Sequence, residues 1–204
     1  MKCDNYMNMQ SIATTHASQV ADLHIQGIST GFISSLGPRF VTALYEAIAQ
    51  SPASFGIVAV EDDTVLGFVT FTTDVKALYK ILLRKHGLKF AVLLAGKMLS
   101  PSRLKKIFET LFYPAKAETR DLPSAELLSV VVSPQARGKG LARKLIEEGL
   151  SQCRQRQIEK VKVLVADHNK PANKLYQTCG FEYATSVDSH GTKSNIYVAD
   201  LTEN

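Results

Sequence analysis

The sequence predicts an α/β fold, on three observations. Stretches rich in β-branched and aromatic residues alternate with stretches of helical periodicity, in the order β-α-α-β-β-(helical insert)-β-α-β-α-β-β. At 204 residues and 45% hydrophobic content, the chain can bury one sizeable core and is short for two. The β-branched run Val130-Val131-Val132 stops at Ser133-Pro134 and gives way to a basic, Gly-rich turn and an amphipathic helix.

Each element has a local cause. Residues 9–15 read as a short first strand, and His16 to about Ile28 as a helix with Ala17, Ala21, Ile25 and Ile28 at helical spacing. Thr15 or Ser18 would cap it. Gly37-Pro38 opens a second helix over Pro38–Gln50, because Pro fits the first helical position. Phe55–Val60 and Val65–Phe71 flank the polar turn Glu61-Asp62-Asp63 and predict a hairpin.

Residues 76–113 then turn helical: Leu78, Ile81, Leu82 and Lys85 begin one helix, Leu88–Leu99 suggests another, and Ser102–Phe112 a third. Pro101 and Pro114 punctuate them. Glu126–Val132 is the next strand, and Gly140 to about Arg156 a helix burying Leu141, Leu145 and Leu150, with Arg143/Glu147 as an outward pair. Val161–Ala166 is a strand, and Pro171–Cys179 a short helix closed by Gly180. Phe181–Val187 and Asn195–Leu201 form a closing hairpin around His190-Gly191. The expectation is one domain over residues 1–204, with a basic helical insertion at about 74–123.

The net charge of +5 is unevenly spread. Between Asp74 and Lys116 lie ten bases and two acids, a net +8, which leaves the rest of the chain at −3. No apolar run approaches the roughly 18 residues of a membrane span. The opening Met1-Lys2-Cys3-Asp4-Asn5-Tyr6 is too polar for a secretion signal. Cys3, Cys153 and Cys179 are an odd set without metal-ligand spacing, and the histidines make no His-x-x-x-His pair. A cytoplasmic protein with no metal is expected. The basic segment lacks the stacked aromatics of nucleic-acid binders, so no nucleic-acid partner is expected either.

The turn Arg137-Gly138-Lys139-Gly140-Leu141-Ala142 is the chemical signal. A helix N-terminus has unpaired N–H groups and the positive end of a dipole, which suits a phosphate. Gly138 and Gly140 let the backbone approach a diphosphate closely, and Arg137 and Lys139 add charge. It is not a Walker loop, since no Gly-Lys-Ser/Thr follows. Nor is it a dinucleotide fingerprint, because position 143 is Arg143 rather than Gly.

The string resembles the Gln/Arg-x-x-Gly-x-Gly/Ala element of the GCN5-related N-acetyltransferase (GNAT) superfamily. A second element, Asn169-x-x-Ala172-x-x-Leu175-Tyr176-x-x-x-Gly180-Phe181, matches that family's pattern without a gap, about 30 residues on. The resemblance covers nearly the whole chain except the insert. It implies a mixed, strongly twisted sheet of about six to seven strands, splayed between the fourth and fifth, with helices on both faces. The helical insertion between the third and fourth strands departs from the family, where a short turn is usual.

The resemblance also implies roles. Tyr176 would protonate the departing thiolate of coenzyme A, although its spacing with Ala172, Leu175 and Cys179 equally suits a core tyrosine. Glu126 would take the proton of the attacking amine, or else be a solvated strand-end glutamate; Asp167 and His168 stand in reserve. Val131 and Val132 would offer backbone groups to the cofactor arm beside a strand bulge. Asn169 would touch that arm or cap its helix, and Asn173 would share the neighbourhood.

The function implied is an acetyl-CoA-dependent N-acetyltransferase acting on a primary amine by direct attack in a ternary complex. The alternative is a non-catalytic acyl-CoA-binding or regulatory domain. No cysteine lies at a reactive position in either element, which argues against an acyl-cysteine route. The basic insert suits an acidic acceptor, a membrane surface or a second subunit in a homodimer.

Overall fold

The strand β3 (Thr64–Thr72) is buried on both faces along nearly its whole length. The computed structural model describes residues 7–29, 31–95, 122–189 and 192–202. β1 (Asn8–Ser11) leads through a 3-10 turn at Thr14–His16 into α1 (Ala17–Gly27), α2 (Phe32–Ser35) and α3 (Pro38–Gln50). β2 (Ser54–Glu61) and β3 form a hairpin, and α4 (Val75–Leu94) follows. The second half runs β4 (Glu126–Val132), a 3-10 turn at Pro134–Ala136, α5 (Leu141–Gln155), β5 (Lys160–Ala166), α6 (Lys170–Thr178), β6 (Glu182–Ser189) and β7 (Thr192–Asp200).

The seven strands form one sheet in the order β1-β2-β3-β4-β5-β7-β6. Every neighbouring pair is antiparallel except β4–β5, which is parallel and paired only at Glu126↔Lys162 and Leu127↔Val163. The sheet is therefore mixed and splayed at that seam, as the sequence led us to expect. One face carries α5 and α6 over Phe71, Leu127, Leu145, Ile146, Val163 and Tyr176. On the other, α1 and α3 cover Val58, Phe68 and Val131, while α4 packs on α3 through Leu78, Leu82 and Phe90.

Local chemistry accounts for the joints. The β2–β3 turn places Asp62 and Asp63 at φ 47° and 59°, left-handed values that Asp tolerates and a two-residue hairpin requires. Gly37 precedes Pro38 at φ 91°, and Gly180 follows α6 at φ 84°.

Three expectations change. α1 starts one turn behind a 3-10 segment, with His16 at its N-cap and no side-chain cap, so neither Thr15 nor Ser18 serves. The one-turn α2 is too short to leave a periodic signal. The two helices expected from Leu78 to Leu99 begin as one continuous α4 that passes through Gly87. Gly costs about 1 kcal/mol against Ala inside a helix, but Leu82, Phe90 and Leu94 are buried on either side of it and that packing wins. The helix expected at Ser102–Phe112, and the end of the one expected at Leu88–Leu99, lie outside the described residues.

α5 sits close to the sheet because Gly149 has no side chain. A Cβ there would fall 2.1 Å from Cε2 of Phe71, whose ring stacks on Phe55 at 5.3 Å. Gly149→Ala is expected to destabilise the fold by about 1–3 kcal/mol, the usual range for an overpacked core. A urea midpoint equal to that of the wild type would show that α5 can lift without cost.

Candidate active site

The site begins where β4 leaves β5. Past Leu127 no β5 residue pairs with β4, while β3 stays paired with it to Val132. Leu128 has no β3 partner, because Phe71 pairs with Leu127 and Thr70 with Ser129, so β4 carries a bulge at that point. The Ser133 amide donates to Leu66 C=O at 2.8 Å, which fixes the alternation of the strand. Val131 therefore turns its amide toward β3, and Val130 and Val132 turn theirs into the gap. Of the two valines singled out from the sequence, only Val132 faces the gap, and Val130 joins it. Arg137 Nε donates to Val132 C=O at 3.2 Å, leaving the Val132 N–H.

The basic turn lies at the end of that strand. Gly138 and Gly140 both sit at φ 76°, a left-handed backbone, and a Cβ on either would meet nothing within 4 Å. Among the described residues, the amides of Gly138 through Arg143 have no hydrogen-bond acceptor, and the first helical bond runs from Lys144 to Gly140. Six successive N–H groups are thus without an acceptor at the positive end of a 15-residue helix. Arg137 and Lys139 are exposed beside them, and Leu141 anchors the helix in the core with Ala142 half-buried against it. A diphosphate needs what this cradle has: open space, unpaired donors and two cations.

α6 brings Tyr176 to the same face. Its ring is buried, edge-on to Phe181 at 5.8 Å, in one core with Val132, Val163 and Val165. Its hydroxyl has no hydrogen-bond partner among the described residues and is not among the atoms sealed from solvent. Burial, reinforced by Cys179, pushes that hydroxyl above its ordinary range, so it keeps its proton at neutral pH. Asn169 caps α6, accepting from the Ala172 amide at 3.3 Å, and its side chain is otherwise exposed.

Asn173 does not have a donor to spare. Its Nδ2 donates to Ala166 C=O at 2.9 Å and to Asn169 C=O at 2.7 Å. Its Oδ1 accepts from Asn195 Nδ2 at 2.9 Å and from the Tyr197 hydroxyl at 2.8 Å. All four positions of the amide are used in pinning α6 to β5 and β7. The sequence expectation of a cofactor contact therefore gives way to a positioning role.

Glu126 lies at the hinge of the gap, on the face opposite Leu127 and Tyr176, by strand alternation. Its side chain is 19% exposed, and Lys162 Nζ stands 3.7 Å from Oε2 while also donating to Pro123 C=O. Burial raises the carboxyl to about 7, and Lys162 opposes that rise. Tyr79 on α4 lies close enough to feel this charge; burial and Glu126 together push its hydroxyl up to about 12. Lys162 and Tyr79 escaped the sequence reading. The alternation Lys160-Val161-Lys162-Val163 does carry the signal for Lys162, setting it opposite the core valines. Asp167 and His168 stand 3.7 Å apart on an exposed loop, with the His168 side chain 74% exposed.

A buried polar row backs β4 on the Glu126 face. His24 Nδ1 and the Tyr45 hydroxyl are 2.6 Å apart, and Tyr45 also contacts Ser129, the residue after the bulge. Burial lowers His24 to about 4, so it is neutral at pH 7.

Comparisons with known proteins bear on the family and the fold. The chain matches the model of the Acetyltransferase (GNAT) family over residues 26–181. It is 40% identical over 67 residues to a mycothiol acetyltransferase of Thermobispora bispora, covering 33% of this chain and 23% of that protein. A mycothiol acetyltransferase of Thermomonospora curvata is 41% identical over 66 residues, covering 32% of this chain and 22% of that protein. The chain thus aligns with less than a quarter of the length of these relatives.

In fold it is similar to an N-acetyltransferase from Staphylococcus aureus Mu50, with TM-score 0.64, 16% identity, and coverage of 97% of this chain and 99% of that one. The ribosomal-protein-S18-alanine N-acetyltransferase of Escherichia coli gives TM-score 0.62 at 12% identity, over 98% and 96% of the two chains. NAA60 of Arabidopsis thaliana in complex with acetyl-CoA gives 0.62 at 15%, over 97% and 100%. At such identities the likeness is one of fold, and the family model carries the assignment. The chain belongs to the acetyltransferase (GNAT) family.

Proposed function

We propose that the protein transfers an acetyl group from acetyl-CoA to a primary amine, by direct attack in a ternary complex. The observation that carries this reading is the run of unpaired amides at 138–143 beside the free edge of β4. Arg137, Lys139 and the amides of Gly138 to Ala142 would hold the diphosphate, and Val130 and Val132 would bond the pantetheine arm through their backbone. Acetyl-CoA supplies an acetyl thioester with a thiolate leaving group. The Val132 N–H is a preformed donor for the carbonyl oxygen as negative charge develops on it. Glu126, on the opposite face of β4, would take the proton that the amine must lose, directly or through a water. Tyr176 would give its proton to the departing sulfur.

The five bases of α4 are all exposed, and Lys89 pairs with Glu46 at 2.6 Å. Tyr79, whose hydroxyl feels the charge of Glu126, would stand near the acceptor amine.

Arg137→Glu should weaken coenzyme A binding at a cost in stability of only about 1 kcal/mol, since the side chain is exposed and loses one hydrogen bond, to Val132 C=O. Calorimetric affinity equal to the wild type would remove the turn from the site.

Tyr176→Phe should retain coenzyme A affinity and lose turnover. The loss belongs toward the lower end of the ~10²–10⁴-fold range for a general acid, because a thiolate of pKa near ~8.5 already leaves readily. Thiol release at the wild-type rate, with chemistry rate-limiting, would return Tyr176 to a purely packing role. Coenzyme A binding with no thiol release from the wild type, across a panel of amines, would favour the non-catalytic alternative.

For Glu126 the direction with pH follows from its raised carboxyl. The base is the carboxylate, so kcat/KM should rise with pH through about 7. Stability runs the other way: the fold favours the protonated form, and that contribution, full below about 4.5, is lost as pH rises to about 7. Glu126→Gln should thus cost rate while leaving the protein no less stable at pH 8. Lys162→Met removes the opposing cation and should move the acid limb of the profile to higher pH. An unshifted limb in Lys162→Met would show that another group titrates.

A further inference from the structure

We propose that the outward face of α4 seats this protein on an anionic lipid bilayer. The inner face of α4 is accounted for: Leu78, Leu82, Phe90 and Leu94 are buried, with the Phe90 ring 5.1 Å from Phe40 of α3. Among the described residues, the outer face has no such partner. Leu88 is 82% exposed and Val92 67%, and Ala91 and Ala95 are exposed beside them. These four fall at i, i+3, i+4 and i+7, a single apolar stripe along the second half of the helix. Lys80, Arg84 and Lys85 stand exposed on the turns just before it.

Charge decides what covers the stripe. Residues 75–94 hold five lysines and arginines and no acid, so a second copy laid on this face would set cations against cations. Residues 96–121 hold six bases and three acids, so that segment is net positive as well. The partner must be both apolar and anionic. A bilayer of anionic lipid meets both needs: the stripe enters the headgroup–acyl boundary while the long basic side chains reach back to the phosphates. Among the described residues no helix is long and apolar enough to cross a membrane, so α4 would lie on the surface rather than span it.

The test uses the full chain, sedimented with vesicles of phosphatidylcholine alone or mixed with phosphatidylglycerol. Pelleting is expected with the mixed vesicles, weakening as salt is raised. Lys80→Glu with Arg84→Glu should lower partitioning by well over tenfold, since each basic residue near such a surface contributes roughly fivefold. Leu88→Asp with Val92→Asp should lower it at least tenfold. Neither pair belongs to the acetyl-transfer site, so coenzyme A affinity should hold and reports that the variants are folded.

The chain has no tryptophan. Leu88→Trp therefore adds a lone fluorophore, whose emission should shift to the blue on mixed vesicles. That conservative variant keeps the question open to measurement if an acidic one fails to fold. Wild-type protein left in the supernatant, equal pelleting with both vesicles, or an unshifted fluorophore would overturn the proposal. So would a dimer in solution that Leu88→Asp dissociates, since the stripe would then be a self-interface. Lipid binding is read without any acetyl transfer, so the outcome is independent of the proposed reaction.

Discussion

The parting of β4 from β5 after Leu127 is the constraint on which the site depends. β5 keeps seven register pairs with β7, from Lys160↔Asp200 to Ala166↔Ser194, while β4 stays with β3. The two halves of the sheet follow different partners and meet only at the hinge residues. An unpaired strand edge must satisfy its N–H and C=O groups with water or a ligand. α5 and α6 close the seam on one face, because their core draws Phe71 and Leu127 from one half and Val163 and Tyr197 from the other. On the opposite face α1, α3 and α4 cover only the half that ends at β4. Lys160, Lys162 and Leu164 of β5 stay exposed or half-buried there. Among the described residues, the seam is thus bridged by helices on the Tyr176 face and not on the Glu126 face.

The hinge also sets the electrostatics of Glu126. Parallel pairing with Lys162 brings a cation to 3.7 Å, which alone would hold a carboxyl low. Burial outweighs it, and the carboxyl rises to about 7. The difference between these two opposing effects leaves a group that exchanges protons near neutrality. A more solvated Glu126 would be a weaker base, and a more deeply buried one would stay protonated.

Much of this was legible in the chain. Glu126–Val132 and Pro38–Gln50 were read with the bounds they have, because each stands between strong punctuation: Pro123-Ser124 and Ser133-Pro134 for the strand, Gly37-Pro38 for the helix. The Gly-x-Gly turn was legible because left-handed backbone leaves glycine as the fitting residue. What escaped was long-range. Nothing local in Asn173 tells that Asn195 and Tyr197 take its oxygen, and nothing near Tyr79 tells that α4 folds over Glu126. The split of roles between Val131 and Val132 depends on the bulge at Leu128, which shifts the alternation by one residue. α4 was read as two helices parting between Lys85 and Leu88, whereas the apolar residues on both sides of Gly87 are held by α3.

The His24–Tyr45–Ser129 row explains how β4 can be bulged and still hold its position. A bulge loosens a strand, and an unsatisfied buried polar atom ordinarily costs 1–3 kcal/mol. Here both occur together, with His24 Nε2 and Thr70 Oγ1 sealed from solvent and unpartnered among the described residues. Leucine-like side chains would fill the same volume without that cost. They would not fix Ser129, which pairs with Thr70 immediately beyond the bulge and precedes Val130, whose amide faces the gap. A short bond between neutral His24 and Tyr45, with Tyr45 edge-on to Phe68 at 5.3 Å, gives that position a defined geometry that dispersion alone does not supply. The fold gives up some stability beneath α1 and α3 to set the register of the backbone groups on the other side of the strand.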